Sequence, residues 1–359
     1  MLTDPLAQDL VAGLDLEAQD HRPAVVYLNG EYWGLYTLTD HIDEDYLAAR
    51  KDADPDRVDP WDWSQSDYGD LVDFAEDNDL SLAPNYEHVA ARIDVANFID
   101  HTIAEQFLAN RDWPANDNVH WRVLPDGRWR WVFFDLDAGL ELGTGNVFER
   151  MAVERPPDRG WSVECFATAL YNNLLDNEGF RRRYLARFGE LLDADFAAAT
   201  TLRRYEALKH RYAPEVAEHA RRWGQPASFR AWEDAVDGRL RRFLYERPCR
   251  VREQLAAFFG VDSLARACRG DAAASGWLVG PNPTSGAFAL GHDREADVLL
   301  DELTRVDALG RVHVRRRNVL LGPGERIGLG GGTRLPPGVY LLVLDGGGRR
   351  ESRRVVVVD

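Results

Sequence analysis

The sequence predicts an α+β protein, in which a mixed domain with many helices is followed by a small all-β sandwich. Two hairpin patterns lie within residues 24–134, and amphipathic helices follow between residues 163 and 260. Beyond residue 277, short apolar strands alternate with glycine and proline turns, as in a β-sandwich. These patterns predict a first domain at 1–262, a linker at 263–277 and a sandwich at 278–359.

The first domain opens with a predicted helix over residues 3–20, where leucines recur at helical spacing. A hairpin follows over residues 24–38, because apolar and aromatic residues flank Asn29-Gly30, the pair that a type I′ turn favours. Residues 40–79 are rich in acidic side chains. Asp52, Asp54 and Asp56 alternate as in a calcium loop, but the closing glutamate of an EF-hand is missing, so we predict a solvated loop.

Residues 87–109 have the periodicity of a helix that ends just before Asp112. A second hairpin is predicted over residues 119–134, so Asp112 and Asp135 are separated along the chain but can return to one site in space. Its alternating aromatic residues favour a buried sheet face over a surface that stacks on adenine. They are Trp121, Trp129, Trp131 and Phe133.

The rest of the first domain is predicted to be helical, before a segment of small residues at 269–276 that is typical of a flexible linker. The predicted helices span residues 166–175, 180–192, 196–212, 214–223 and 229–259.

The composition excludes several classes of function. A net charge of −17 argues against nonspecific binding to nucleic acid or to anionic lipid. No apolar run reaches the roughly 20 residues of a membrane helix, and the N-terminus lacks the basic and apolar regions of a signal peptide. Cys165, Cys249 and Cys268 lack metal-ligand spacing, and we expect three free thiols; one disulfide would instead fit an exported protein.

Two polar segments carry the chemistry of the first domain. Residues 110–116, Asn-Arg-Asp-Trp-Pro-Ala-Asn, place Asp112 near an amide side chain, and Asp135 and Asp137 follow the second hairpin. Phosphoryl transfer from ATP uses one carboxylate to orient the substrate hydroxyl, and an amide oxygen with a second carboxylate to hold magnesium. On spacing alone, Asp112 is more simply a turn or capping residue before Pro114, and Asp135 a turn residue at a strand end.

These segments resemble the catalytic and metal-binding loops of protein kinases, although the literal HRD and DFG motifs are absent. With residues 25–36 and 97–100, they follow the order of the spore coat protein H (CotH) kinase family, an atypical kinase group, over roughly the first two thirds of the chain. The resemblance implies an atypical protein-kinase-like domain, with residues 163–260 as its helical C-lobe. It also implies dependence on ATP and on Mg²⁺ or Mn²⁺.

The resemblance assigns roles to these residues. It implies that Asp112 is the catalytic carboxylate, that Asp135 binds magnesium and that Asn116 is the second metal ligand. The family more usually has a tandem asparagine, so Asp117 or Asn118 is an alternative to Asn116.

Two further aspartates have two interpretations each. Asp137 is either another metal ligand or holds its loop through backbone N–H groups. Asp40 stands where the family usually has glutamate, so it either lines the nucleotide site or caps a helix before Ile42.

The C-terminal module resembles the type A sorting domain of type IX secretion in residues 279–288, 307–312, 335–342 and 353–358. This implies that the type IX machinery is a partner and that the protein is secreted or held at the cell surface. Such export needs a signal peptide, and the family's N-lobe carries a lysine that pairs with ATP phosphates. Residues 1–24 contain neither, so we expect a fragment with a truncated N-lobe.

The first functional hypothesis is therefore an exported kinase that phosphorylates serine or threonine of an extracytoplasmic protein. The alternatives are non-enzymatic: a pseudokinase that retains the fold, or a structural or adhesive protein of the cell envelope.

Overall fold

The computed structural model describes residues 1–60, 66–114, 118–143, 145–152 and 163–261, and in the C-terminal part 277–280, 284, 288–292, 294, 296–307, 310–329, 335–347 and 349–357. The chain divides into two compact units, Met1–Ala265 and Arg266–Asp359. Helices and several separate sheets make it an α+β protein. The predicted linker lies outside the described residues, apart from Trp277, which begins a strand.

The first unit contains most of the helices. Its elements are α1 (Thr3–Val11), β1 (Glu17–Ala18), β2 (His21–Leu28), β3 (Glu31–Thr39), α2 (Glu44–Lys51), β4 (Val58–Pro60), α3 (Ser66–Asp77), α4 (Ala83–Ala90), α5 (Val95–Leu108), β5 (His120–Val123), β6 (Arg130–Phe133), α6 (Val147–Met151), α7 (Val163–Leu174), α8 (Glu178–Asp193), α9 (Ala198–Trp223), α10 (Phe229–Val236) and α11 (Arg242–Phe259). A π-helical turn, Asp237–Arg241, joins α10 to α11.

Both predicted hairpins are confirmed. Strands β2 and β3 pair through a turn in which Asn29 and Gly30 have φ of 53° and 85°, as a type I′ turn requires. Strands β5 and β6 pair in a sheet of order β1-β6-β5-β4, with β1 parallel to β6. The aromatic side chains of this second hairpin are buried, as predicted, with exposures of 0–2% at Trp121, Trp129, Trp131 and Phe133.

The predicted helix over residues 3–20 is wrong in its second half. Helix α1 ends at Val11, and Glu17 and Ala18 instead pair with Val132 and Phe133 of β6. Gly13 interrupts the helical run, since glycine lowers helix stability by about 1 kcal/mol relative to alanine. The unpaired edge of β6 then supplies partners for the backbone of this segment.

Several other boundaries differ from the prediction. The acidic region contains α2 and α3, because its acidic residues lie on exposed helix faces while Leu47 and Leu71 are buried. The helix predicted over 87–109 is two helices, since Asp94 caps α5 by accepting hydrogen bonds from the N–H groups of Ala96 and Asn97. Conversely, α9 continues through Pro214.

An ion network around the buried side chains of Arg130 and Glu17 fixes α5 against the sheet. Arg130 of β6 donates to Glu17 Oε1 (2.8 Å), to Asp15 Oδ1 (2.9 Å) and to Asp94 at the start of α5. Asn97 of α5 accepts from the Trp131 N–H (2.6 Å) and donates to Glu17 Oε2 (3.2 Å). These contacts set the position of α5, which leads to Asp112, relative to β6, which leads to Asp135.

The second unit is a β-sandwich, in agreement with the predicted architecture. Its strands are β7 (Trp277–Gly280), β8 (Ala289–His292), β9 (Val298–Asp307), β10 (Val312–Leu321), β11 (Arg326–Gly328), β12 (Gly338–Gly346) and β13 (Arg349–Val357). One sheet has the order β10-β9-β12-β13 and the other β11-β8-β7. The core between them includes Leu290, Leu303, Leu321, Leu342 and Val355, all fully buried.

Cys249 in α11 is disulfide-bonded, so the expectation of three free thiols is wrong; the side chains of Cys165 and Cys268 lie outside the described residues. Among the helices that the structure describes, none combines the length and apolarity needed to cross a membrane.

Candidate active site

Helix α5 delivers Asp112 to the surface through a short, well-anchored loop. Ala109 ends the helix in the left-handed conformation with φ of 56°. The next residue, Asn110, is fully buried, and its Oδ1 accepts a hydrogen bond from the Asp112 N–H (3.2 Å). The Trp113 side chain that follows is also buried. The Asp112 carboxylate is therefore exposed between two buried anchors.

The segment after β6 folds back onto the end of α5. The N–H of Leu140 donates to the Leu108 carbonyl (2.7 Å), and a Cβ at Gly139 would lie 3.2 Å from the carbonyl oxygens of Leu108 and Leu136. A side chain here would require the neighbouring backbone to move by a few tenths of an ångström, so glycine favours this close approach. This docking places the loop of Asp135 and Asp137 beside the loop of Asp112.

Asp135 itself has a left-handed backbone, with φ of 56°. Aspartate tolerates this region better than most residues, yet non-glycine residues there are uncommon and concentrate at functional sites. The next residue, Leu136, is buried, while the Asp135 and Asp137 side chains are exposed. The local conformation thus turns two carboxylates outward on either side of a buried anchor.

Helix α1 supplies a fourth carboxylate. Asp4 in its first turn accepts a hydrogen bond from the Leu136 N–H (3.1 Å) through Oδ1. Asp4 thus holds the loop of Asp135 and Asp137 through a backbone N–H group, and both interpretations of Asp137 stay predictions. No local pattern could reveal the contact between Asp4 and Leu136, because the two residues are 132 positions apart.

The carboxylates of this site repel one another. Partial burial raises the pKa of Asp135, and the charges of Asp137, Asp4 and Asp112 raise it further. A cation beside Asp135 would relieve this repulsion. The cluster of Asp4, Asp112, Asp135 and Asp137 is hereafter the carboxylate cluster.

Arg150 of α6 binds the backbone of the Asp112 loop. It donates to the carbonyl oxygens of Asn110 (2.6 Å) and Arg111 (3.2 Å), the two residues before Asp112. Burial lowers the pKa of Arg150, and the charges of Glu105 and Asp112 oppose this shift. Arg150 was not predicted from the sequence, since it lies 40 residues beyond Asn110.

The exposed carboxylates of this site offer oxygen atoms, the kind of ligand that magnesium prefers. Among the described residues, no three histidine, cysteine, aspartate or glutamate side chains form a metal-binding group. Magnesium, however, is commonly held by one or two carboxylates together with substrate phosphates. Asp135 and Asp137 are such carboxylates. The predicted ligand Asn116 and one alternative, Asp117, lie outside the described residues, while the other alternative, Asn118, is half-buried.

Comparison with known proteins identifies the first unit. The sequence model described as "CotH kinase protein" matches residues 1–59 and 54–249, which is more than half of the chain. The chain belongs to the CotH kinase protein family.

No curated protein matches significantly. Among solved structures, PorZ, a surface component of the type-IX secretion system of Porphyromonas gingivalis, is 17% identical over 25% of this chain and 12% of its own, with a TM-score of 0.20. The chain thus spans about an eighth of that protein.

Asp40 of this CotH kinase protein lies where β3 ends. Its Oδ2 accepts a hydrogen bond from the Asp20 N–H (3.1 Å), and its carbonyl accepts one from Gln19 (2.6 Å). The alternative role as a helix cap is wrong, because Asp43 caps α2. These contacts close the base of the first hairpin, and a role of Asp40 at a nucleotide stays a prediction.

Two arginines of the second hairpin form ion pairs with carboxylates of neighbouring elements. Arg130 lies in the ion network with Glu17, and Arg122 pairs with Asp59 (2.9 Å) and Asp67 (2.7 Å). Both stabilise the sheet.

Proposed function

We propose that this CotH kinase protein transfers the γ-phosphate of ATP, with Mg²⁺ or Mn²⁺, to serine or threonine of a protein substrate. The observation that carries the proposal is the docking of the Asp112 loop against the Asp135 loop, which gathers the carboxylate cluster at one surface. The family match to a kinase supports the same reaction. Helices α7–α11 would then form the helical C-lobe.

Each residue has a distinct part in the proposed reaction. Asp112 orients the substrate hydroxyl and accepts its proton as the hydroxyl oxygen bonds to the γ-phosphorus and the bond to ADP breaks. Asp135 would hold the metal, with Asp137 beside it and Asn116, or alternatively Asp117 or Asn118, as the other ligand. The metal would neutralise negative charge on the phosphates.

Replacement of Asp135 by asparagine tests the nucleotide site. ATP binding in the presence of Mg²⁺, measured by calorimetry, is expected to weaken by at least about tenfold, since hydrogen bonds and contacts to charged groups contribute about 1.5–3 kcal/mol. Asparagine tolerates a positive φ, so the backbone should persist.

Asp52→Asn is the matched control. Asp52 is also exposed and also has a left-handed backbone, with φ of 51°, but it ends α2 outside the carboxylate cluster. Equal ATP affinity in wild-type protein and Asp135→Asn would contradict the proposed metal site.

Arg150→Met tests whether the hydrogen bonds from Arg150 to the Asp112 loop contribute to catalysis. We expect kcat to fall by about tenfold or more while KM for ATP changes little, because a small displacement of a catalytic group can cost up to about 10²-fold. Arg150→Lys retains the charge but loses the two-pronged contact, so it should be intermediate. If both variants lost activity only in proportion to a loss of folded protein, as measured by a lowered Tm, Arg150 would have a merely structural role.

A second candidate function is that of a pseudokinase or envelope scaffold. Both lysines of the chain pair with carboxylates: Lys51 with Asp15 (3.8 Å), and Lys209 with Glu233 (3.2 Å) and Asp237 (3.0 Å). Kinases use a lysine to bind ATP phosphates. A folded protein that does not bind ATP in the calorimetric experiment would favour this candidate.

We place the proposed reaction outside the cytoplasm. The disulfide at Cys249 supports this, because disulfides persist mainly in oxidising compartments. The β-sandwich at 278–359 would act as the type IX sorting module. Fusion of this module and a signal peptide to a reporter should direct the reporter to the cell surface of a host with this machinery; retention in the periplasm would refute that role.

A further inference from the structure

Two arginines border the loop that carries Asp135 and Asp137. Arg111 donates from Nε to the Ala138 carbonyl (3.3 Å). Arg239 donates to the hydroxyl of Thr3, and the adjacent Asp4 holds the Leu136 N–H. Both guanidinium groups therefore lie close to the segment that directly follows Asp135.

The two arginines share one carboxylate. Glu141 lies 3.6 Å from Arg111 Nη1 and 3.8 Å from Arg239 Nη1. All three side chains are solvent-accessible, with exposures of 53% for Arg111, 44% for Arg239 and 40% for Glu141. Long, exposed ion pairs of this kind are weak. The group retains one net positive charge and can exchange its internal anion for another.

The backbone that carries Arg239 is fixed. It belongs to the π-helical turn, in which Asp237 accepts hydrogen bonds from Tyr205 (2.6 Å) and Lys209 (3.0 Å). π-Helical turns are rare and often occur at functional sites. An anchored turn beneath an exposed cationic side chain is suited to binding an anion.

We propose that Arg111 and Arg239 together bind the polyphosphate of the nucleotide, in the role that a lysine has in other kinases. This rests on the proposed function, because the carboxylate cluster must hold the metal that the same phosphates contact. Guanidinium groups match phosphate oxygens with two parallel hydrogen bonds, so two arginines can replace one lysine. Glu141 is the residue that the phosphate displaces.

Inorganic tripolyphosphate with Mg²⁺ is the direct probe, measured by calorimetry beside ATP and adenosine. Arg111→Gln and Arg239→Gln are each expected to weaken tripolyphosphate and ATP binding by about tenfold to hundredfold, the range of a charge-assisted hydrogen bond. Adenosine binding should not change. Glu141→Gln removes the competing anion and should strengthen tripolyphosphate binding.

Controls separate binding from folding. Arg230→Gln removes an exposed arginine of α10 that pairs with Asp234 (3.2 Å), and it should behave as wild type. Arg239→Lys retains the positive charge and should retain part of the affinity, while the Tm of every variant is measured.

The outcomes distinguish the arginine pair from the proposed function. Tripolyphosphate that fails to bind wild-type protein, or that binds the glutamine variants equally well, overturns the arginine pair. Tripolyphosphate binding that depends on the arginines, without any ATP binding, supports the pair and refutes the kinase function. ATP binding that depends on Asp135 alone supports the kinase function and refutes the pair.

Discussion

Replacement of Asp112 by asparagine is expected to lower phosphoryl transfer by about 10²–10⁴-fold, the usual contribution of general acid–base catalysis. The amide has the shape of the carboxylate but cannot accept the substrate proton. The hydrogen bond from the Asp112 N–H to Asn110 involves only the backbone of residue 112, so the loop should keep its form. The side chain is exposed, and no core packing is lost.

The measurement is transfer of labelled phosphate from ATP to a generic protein substrate, together with calorimetric ATP binding. ATP affinity should stay near that of the wild type, because Asp112 is proposed to act on the hydroxyl and not on the metal. Asp126→Asn, in the exposed turn between β5 and β6, is the control. An unchanged kcat in Asp112→Asn would exclude Asp112 as the proton acceptor.

Replacement of Arg130 by methionine is expected to lower the free energy of unfolding by about 3–5 kcal/mol, the cost of removing one partner of a buried ion pair. The change leaves Glu17, which is only 2% exposed, without its cation. It also releases Asp94 and Asp15 from the same guanidinium. Urea unfolding measures this change, and Arg182→Met is its control.

The control and the pH dependence make this prediction specific. Arg182 forms an exposed pair with Glu178, with exposures of 73% and 69%, and its loss should cost less than about 1 kcal/mol.

Burial raises the pKa of Glu17, and the charge of Arg130 opposes this shift. A carboxyl group with a raised pKa binds protons more readily in the folded state, so its contribution to stability increases as pH falls.

Arg130→Met should therefore have its largest deficit near neutral pH and a smaller one at acidic pH, where Glu17 becomes protonated. A deficit that grows at low pH would show that Glu17 is not the group left unpaired. Because the network positions α5 against β6, we also expect reduced activity even when the protein is folded.

Local patterns determined the elements that depend on neighbours in sequence. Asn29-Gly30 predicts its turn because positive φ at two consecutive residues restricts the choice of residue. The alternating tryptophans of the second hairpin predict a buried face because side chains alternate across a strand. Because a hairpin reverses the chain, the second hairpin was also predicted to return Asp135 towards Asp112. The structure brings the two loops together.

Local patterns failed where distant backbone groups compete. Residues 12–18 leave the helical pattern because β6 offers hydrogen-bond partners to Glu17 and Ala18. The acidic region 40–79 also contains α2 and α3, which bury their apolar faces, whereas Asp52, Asp54 and Asp56 lie exposed between α2 and β4, as predicted. The roles of Asp112, Asp135, Asn116, Asp137 and Asp40 stay predictions.

The sequence by itself determined the class of fold, the two hairpins and the two loops that carry the candidate catalytic and metal-binding aspartates. Only the tertiary structure decided which side chains support those loops: Asp4 at Leu136, Arg150 behind Asp112, and Arg111 and Arg239 around Glu141. The physical reason is that hydrogen bonds and ion pairs act over a few ångströms in space, whatever the separation along the chain. Arg130 is an example: it becomes a buried structural cation because folding brings Asp15, Glu17 and Asp94 around its guanidinium group.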